Sequence, residues 1–137
     1  MKKLIGCLSL VFLSVGAFAQ EKQTVHSIIV EGHEIDWYKT QEKLWKAEID
    51  QDSQNGEAWM NYYGAVRVLR ILSEANSPEQ KKYIEQCNKI ATDVYAVMPN
   101  TFEGNYIMYW NGKLGQNDEK YLIKAFEFRP EDPRVLL

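Results

Sequence analysis

Residues 55–72 read NGEAWMNYYGAVRVLRIL. Trp59, Tyr62, Tyr63, Val66 and Leu69 fall at i, i+3, i+4, i+7 and i+10. That is one stripe of an α-helix, and it does not fit the two-residue alternation of a strand. The spacing predicts a helix from about Glu57 to Leu72, with Asn61, Arg67 and Arg70 on its polar side. DQDSQNG (50–56) breaks the pattern before it and SEANSPEQ (73–80) after it.

The same period continues in both directions. Downstream, Ser77 precedes Pro78 and stands three residues before Gln80, a capping box with proline at the first helical position. Tyr83, Cys87, Ile90, Ala91, Val94 and Met98 then form a stripe that stops at Pro99. A fourth helix is predicted over 102–111, with Phe102, Tyr106, Tyr109 and Trp110. After the turn NGKLGQND a fifth starts near Asp118, capped by Asn117, with the face Tyr121, Leu122, Ala125 and Phe126. Arg129-Pro130 ends it. Upstream, Trp37, Tyr38, Leu44, Trp45 and Ile49 give a first helix, with Asp36 as its N-cap. Residues 20–35 carry no helical stripe and are expected to form an extended lead-in or arm. Its short β-branched run Ile28–Val30 has no partner strand in sight. Short connections between helices force neighbours antiparallel. The chain is therefore expected to be all-α, a stack of about five helices in antiparallel hairpins.

The hairpins resemble one another. SQNGEAWMNYYGA from Ser53 and PNTFEGNYIMYWNG from Pro99 both place Glu four residues in, at Glu57 and Glu103. Ala58 or Gly104 follows, and aromatics come after, Tyr62 and Tyr63 in one and Tyr109 and Trp110 in the other. PEDPRVLL begins the same way at Pro130, so the offsets are 46 and 31 residues. In this order of signals residues 36–137 resemble the tetratricopeptide repeat family. EAWMNYYGAV looks like the opening of a unit and KAFEFRPEDP like its close, with Ala125 ahead of Pro130. Two positions depart from the family pattern: Tyr63 stands where a small residue is usual, with Gly64 one place late, and Asn105 replaces the counterpart of Trp59. The resemblance implies a short α-solenoid that binds a protein or peptide, with Asn61 and Asn105 as residues that contact a partner's backbone. The chain stops at Val135, Leu136 and Leu137, too few residues to hold a helical turn alone. The expectation is that the repeat region is truncated there and continues in a longer protein.

The first 19 residues are set apart from this fold. MKKLIGCLSLVFLSVGAFAQ has two lysines, an apolar run from Leu4 to Phe18 and the small-x-small pattern Ala17, Phe18, Ala19. This is the layout of a secretory signal peptide cut before Gln20, which would leave 118 of the 137 residues. The run is short for a membrane span and is interrupted by Ser9, Ser14 and Gly16. LIGC at 4–7 resembles a lipobox but opens the apolar run instead of following it, which argues against a lipid on Cys7. The expected location is the periplasm or the cell exterior, with no membrane span once the leader is gone. Loss of Lys2 and Lys3 leaves 14 basic against 19 acidic residues, net −5, with no basic cluster. Nucleic acid and anionic lipid are poor partners for such a surface. Cys87 would be the one remaining cysteine, expected as a small core residue.

A catalytic constellation is not legible. HEIDW (33–37) lacks the second His of a zinc-protease motif, and His26 and His33 have nothing to fix a ligand geometry. There is no phosphate loop and no nucleophile elbow, so no cofactor or metal and no enzyme activity is expected. The aromatics are the functional candidates. Trp59, Tyr63, Tyr106 and Trp110 are expected to fill the space between helices. Trp37, Trp45, Tyr62 and Tyr109 are expected to line a groove, to which the family resemblance adds Asn61 and Asn105. The reading is an exported, non-catalytic protein-interaction or assembly module. Two alternatives stand beside it: a helical-repeat protein that captures an oligosaccharide on aromatic platforms, and the leading non-catalytic domain of a larger exported enzyme.

Overall fold

A computed structural model describes the main chain of residues 21–25, 32–112 and 118–136, with side chains as far as Arg134. Residues 1–20, with the expected leader and Cys7, and also His26, Ile28–Val30, Asn117 and Leu137 lie outside the described residues. The described chain is all-α. Its helices are α1 (Ile35–Gln51), α2 (Gly56–Leu72), α3 (Pro78–Val97), α4 (Phe102–Asn111), α5 (Glu119–Phe128) and a single turn, α6 (Pro133–Leu136).

The caps explain where these helices begin. Ser77 Oγ accepts from the Gln80 N–H at 3.1 Å, with Pro78 in the first turn. Gln80 Oε1 reaches back to the Asn76 N–H at 2.9 Å, so the capping box closes on the residue before the cap. Asn76 has a positive φ of 64°, a conformation that asparagine tolerates better than most side chains. Two caps differ from the sequence expectation. Glu34, not Asp36, is the N-cap of α1; its side chain makes no capping bond, and Asp36 supplies negative charge inside the first turn. At α5 the cap is Asp118, whose carboxylate accepts from the Lys120 N–H.

Consecutive helices pack against each other, and α2 also touches α4, so the hairpins α2–α3 and α4–α5 stand side by side. The arrangement is that of a short helical repeat. Its register follows the sequence: the helices that open each unit start at Gly56, Phe102 and Pro133, again 46 and 31 residues apart. Hydrogen bonds repeat in the same register. Asn55 and Thr101 cap their helices by accepting from Ala58 N–H and Gly104 N–H, each at 3.1 Å. Trp59 Nε1 donates to Ser53 O and Asn105 Nδ2 to Pro99 O, each at 2.9 Å and each six residues back. Asn105 thus makes the bond that the indole makes in the preceding unit, which accounts for the departure at that position.

α2 is the centre of the molecule. Every residue from Ala58 to Val66 is buried, because α1, α3 and α4 surround the helix. The core joins Tyr38, Trp45 and Ile49 of α1 to Tyr63, Val66 and Leu69 of α2 and to Cys87, Ile90 and Val94 of α3. Tyr63 packs on Trp110 with ring centroids 5.2 Å apart, linking the two hairpins. Tyr106 and Trp110 are half-buried, and Phe126, placed on the inner face of α5 by its spacing, is exposed; only Ala125 of that helix is fully buried. At the far end, the guanidinium groups of Arg129 and Arg134 lie over the Phe102 ring at 4.8 and 4.7 Å. Glu103, buried in α4, pairs with Arg129.

Candidate functional site: a groove that holds an extended chain

α1 and α2 enclose a segment of chain that belongs to neither. Residues 21–25 are neither helix nor strand, yet Val25 is buried in the core cluster. Three side chains grip their main chain. Gln41 Oε1 accepts from Gln23 N–H at 2.7 Å, and Gln41 Nε2 donates to Glu21 O at 3.0 Å. Trp45 Nε1 donates to Gln23 O at 2.8 Å. Asn61 Oδ1 accepts from Val25 N–H at 2.6 Å. The gripped groups belong to residues 21, 23 and 25. That is one edge of an extended chain, on which every second residue presents its N–H and C=O in the same direction.

The local sequence explains the geometry. Tyr38, Gln41, Trp45 and Ile49 form the buried stripe of α1. Gln41 is a polar residue in the middle of it, fully buried, and its amide is satisfied on both sides by residues 21 and 23. Asn61 is fully buried too, and its Nδ2 donates to Glu57 O one turn back, which turns Oδ1 outward to Val25. Among the described residues no buried side-chain nitrogen or oxygen lacks a partner. Lys22 adds a side-chain contact: its Nζ lies 2.7 Å from Glu48 Oε1 and 5.1 Å from the centroid of a Trp45 ring.

The expected site residues divide into three groups. Trp45 and Asn61 do meet a polypeptide backbone, but it is the chain's own, and both are buried beneath it. Asn61, expected on the polar side of α2, is buried because α1, α3 and α4 surround that helix. Tyr62 and Asn105 are buried as well. Tyr62 OH accepts from Gln86 Nε2 at 3.0 Å, and Gln86 also donates to Glu42; burial pushes the phenol up from its ordinary value. Asn105 spends both amide hydrogens on Pro99 O and Thr101 O. Trp37 and Tyr109 remain half-buried, and Trp37 stacks on His33 with centroids 3.8 Å apart. These two do not join the groove contacts described above. Gln41 and Glu48 were not singled out from sequence. A glutamine at a core position of an otherwise apolar stripe was the available signal for Gln41.

The buried ionisable groups serve packing. Burial pushes the Cys87 thiol up to about 11, and Glu103 is held by Arg129. Among the described residues no group of three or more His, Cys, Asp or Glu side chains is placed to hold a metal ion. No described helix is long and apolar enough to cross a membrane. Comparison with family models, with curated proteins and with solved structures gives no match.

Proposed function

We propose that this is an exported, non-catalytic interaction module of tetratricopeptide-like type, and that the groove between α1 and α2 holds an extended segment of polypeptide. The observation that supports it most is the set of four hydrogen bonds from Gln41, Trp45 and Asn61 to main-chain groups of residues 21–25. Main-chain groups are the same in every peptide, so the grip itself tolerates different sequences, as when an extended peptide adds to a sheet edge. Here side chains on two helices replace the sheet edge. Export is supported by the leader-like first 19 residues, and a protein partner, in preference to nucleic acid, by the net charge of −5 left after them.

In this reading residues 21–25 are a tethered occupant, and a partner strand takes their place. A tether gives the resident segment an effective concentration on the order of millimolar. The wild-type chain should therefore bind an added strand weakly. Gln23→Pro removes the N–H that Gln41 accepts and leaves every groove residue in place. With a labelled EKQTV peptide, fluorescence anisotropy should show at least tenfold tighter binding to the full Gln23→Pro chain than to wild type. Failure of both folded chains to bind the peptide would sink the proposal.

A further inference from the structure

We infer that the groove selects extended peptides carrying a basic residue followed, three positions later, by a β-branched aliphatic residue, the pattern of Lys22 and Val25. This inference rests on the groove reading above and names its ligand class.

Two side chains of the resident segment are read, and the rest are not. Val25 is buried within the core cluster, at 5% exposure, while residues 21–24 are exposed overall. Val25 belongs to the buried core cluster that also holds apolar side chains of α1 and α2. A polar or charged residue there would lose its water without gaining a partner. Lys22 is held twice, by the Glu48 carboxylate at 2.7 Å and by the Trp45 ring at 5.1 Å. An acidic residue in its place would face Glu48 directly. Trp45 therefore has two roles: its N–H fixes the main chain at Gln23 and its ring face receives the cation. Gln23 is anchored through its backbone, and among the described residues neither its side chain nor that of Thr24 makes a hydrogen bond or ion pair in the groove. A ligand would thus be recognised as Lys or Arg, two unread positions, then Val or Ile. A second copy of this chain carries that pattern in its own residues 22–25, so self-association at high concentration is the same chemistry.

The test uses the full chain with Gln23→Pro and four labelled peptides, EKQTV, EEQTV, EKQTS and EKAAV. EKQTV and EKAAV should bind alike. EEQTV should bind about fivefold more weakly, the scale of a partly exposed ion pair, and less so in high salt. EKQTS should bind more than tenfold more weakly, the scale of a buried valine. Glu48→Lys in the protein should invert the preference between EKQTV and EEQTV, an outcome that a mere loss of packing does not produce. Equal binding of all four peptides overturns the inference and leaves the groove reading standing, since the main chain alone is then read. Binding of none by the folded variant overturns both. Should Gln23→Pro fail to fold, the same pattern is read within the wild-type background: Lys22→Glu and Glu48→Lys should each lower the thermal midpoint and the double variant should restore it. Additive losses there overturn the inference.

Discussion

Gly104 shows how far a single position can be constrained by its neighbour's backbone. A Cβ built there would sit 2.1 Å from the Met98 carbonyl oxygen and 3.2 Å from Thr101 Oγ1. The nearest obstacle is main chain at the end of α3, which cannot turn aside as a flexible side chain can. Gly104→Ala should therefore destabilise the fold by about 1–3 kcal/mol, although alanine is the better helix former. A thermal midpoint equal to or above wild type would refute this. The counterpart Ala58, in the same register of the preceding unit, is buried without such a clash, so the small residue in both units was legible and its strictness in one was not. Polar residues were read less well. Asn61 stands where one-helix periodicity assigns a polar side, and Asn105 where the preceding unit has Trp59; both are buried. Periodicity describes the faces of one helix; it says nothing of how many neighbours that helix has. α2 is packed by α1, α3 and α4, so its polar residues had to find partners inside. The aromatic at Tyr62 was misplaced for the same reason.

At the scale of elements, boundaries were the most legible part. The signals SPEQ and the two Pro-bounded stops follow from local chemistry, in that a cap satisfies free N–H groups and a proline cannot continue a helix. The start of α1 was read two residues late because Asp36 resembles a cap, while the main chain turns helical at Ile35 without any side-chain cap. What no local rule could give is the seat of residues 21–25. Their contacts lie 18 to 36 residues away in sequence, and their own composition is polar. The seat depends on Gln41, which holds two of its four main-chain bonds. Gln41→Ala should free the segment while leaving the helices intact. Trypsin reports this: the bond after Lys22 should be cut at least tenfold faster in Gln41→Ala than in the wild type, with unchanged far-UV circular dichroism. Equal cleavage rates would mean that the segment is not held by that side chain.

For the molecule as a whole, the buried acidic hydrogens tie stability to alkaline pH. Burial raises the Cys87 thiol from 9.0 to about 11, and it raises the phenols of Tyr62, Tyr63 and Tyr106 above their ordinary 10.0. An unfolded chain gives up the thiol proton near pH 9, whereas the folded chain keeps it. The stability linked to Cys87 is fully present below pH 9 and is lost as pH rises through about 11. The loss is on the order of 2 kcal/mol and should show as a falling urea midpoint between pH 8.5 and 10.5. Cys87→Ala should flatten the first part of that fall, below the range where the tyrosines act. An identical slope in the variant would remove Cys87 as the cause.

The two hairpins share a floor but not a height. Gly56 at the start of α2 faces Glu103 at the start of α4, so the units are level where their caps lie. From there α2 and α3 run 17 and 20 residues, and α4 and α5 only 10 each. At 1.5 Å per residue the first hairpin is longer by roughly 10–15 Å. Ile71 and Leu72 are exposed at the far end of α2, 56% and 46% accessible. For protein engineering this makes the capped ends a common socket and the opposite ends variable parts. Chimeras that splice one unit onto another at Asn55 or Thr101 preserve the seating of the stack and change only how far it rises.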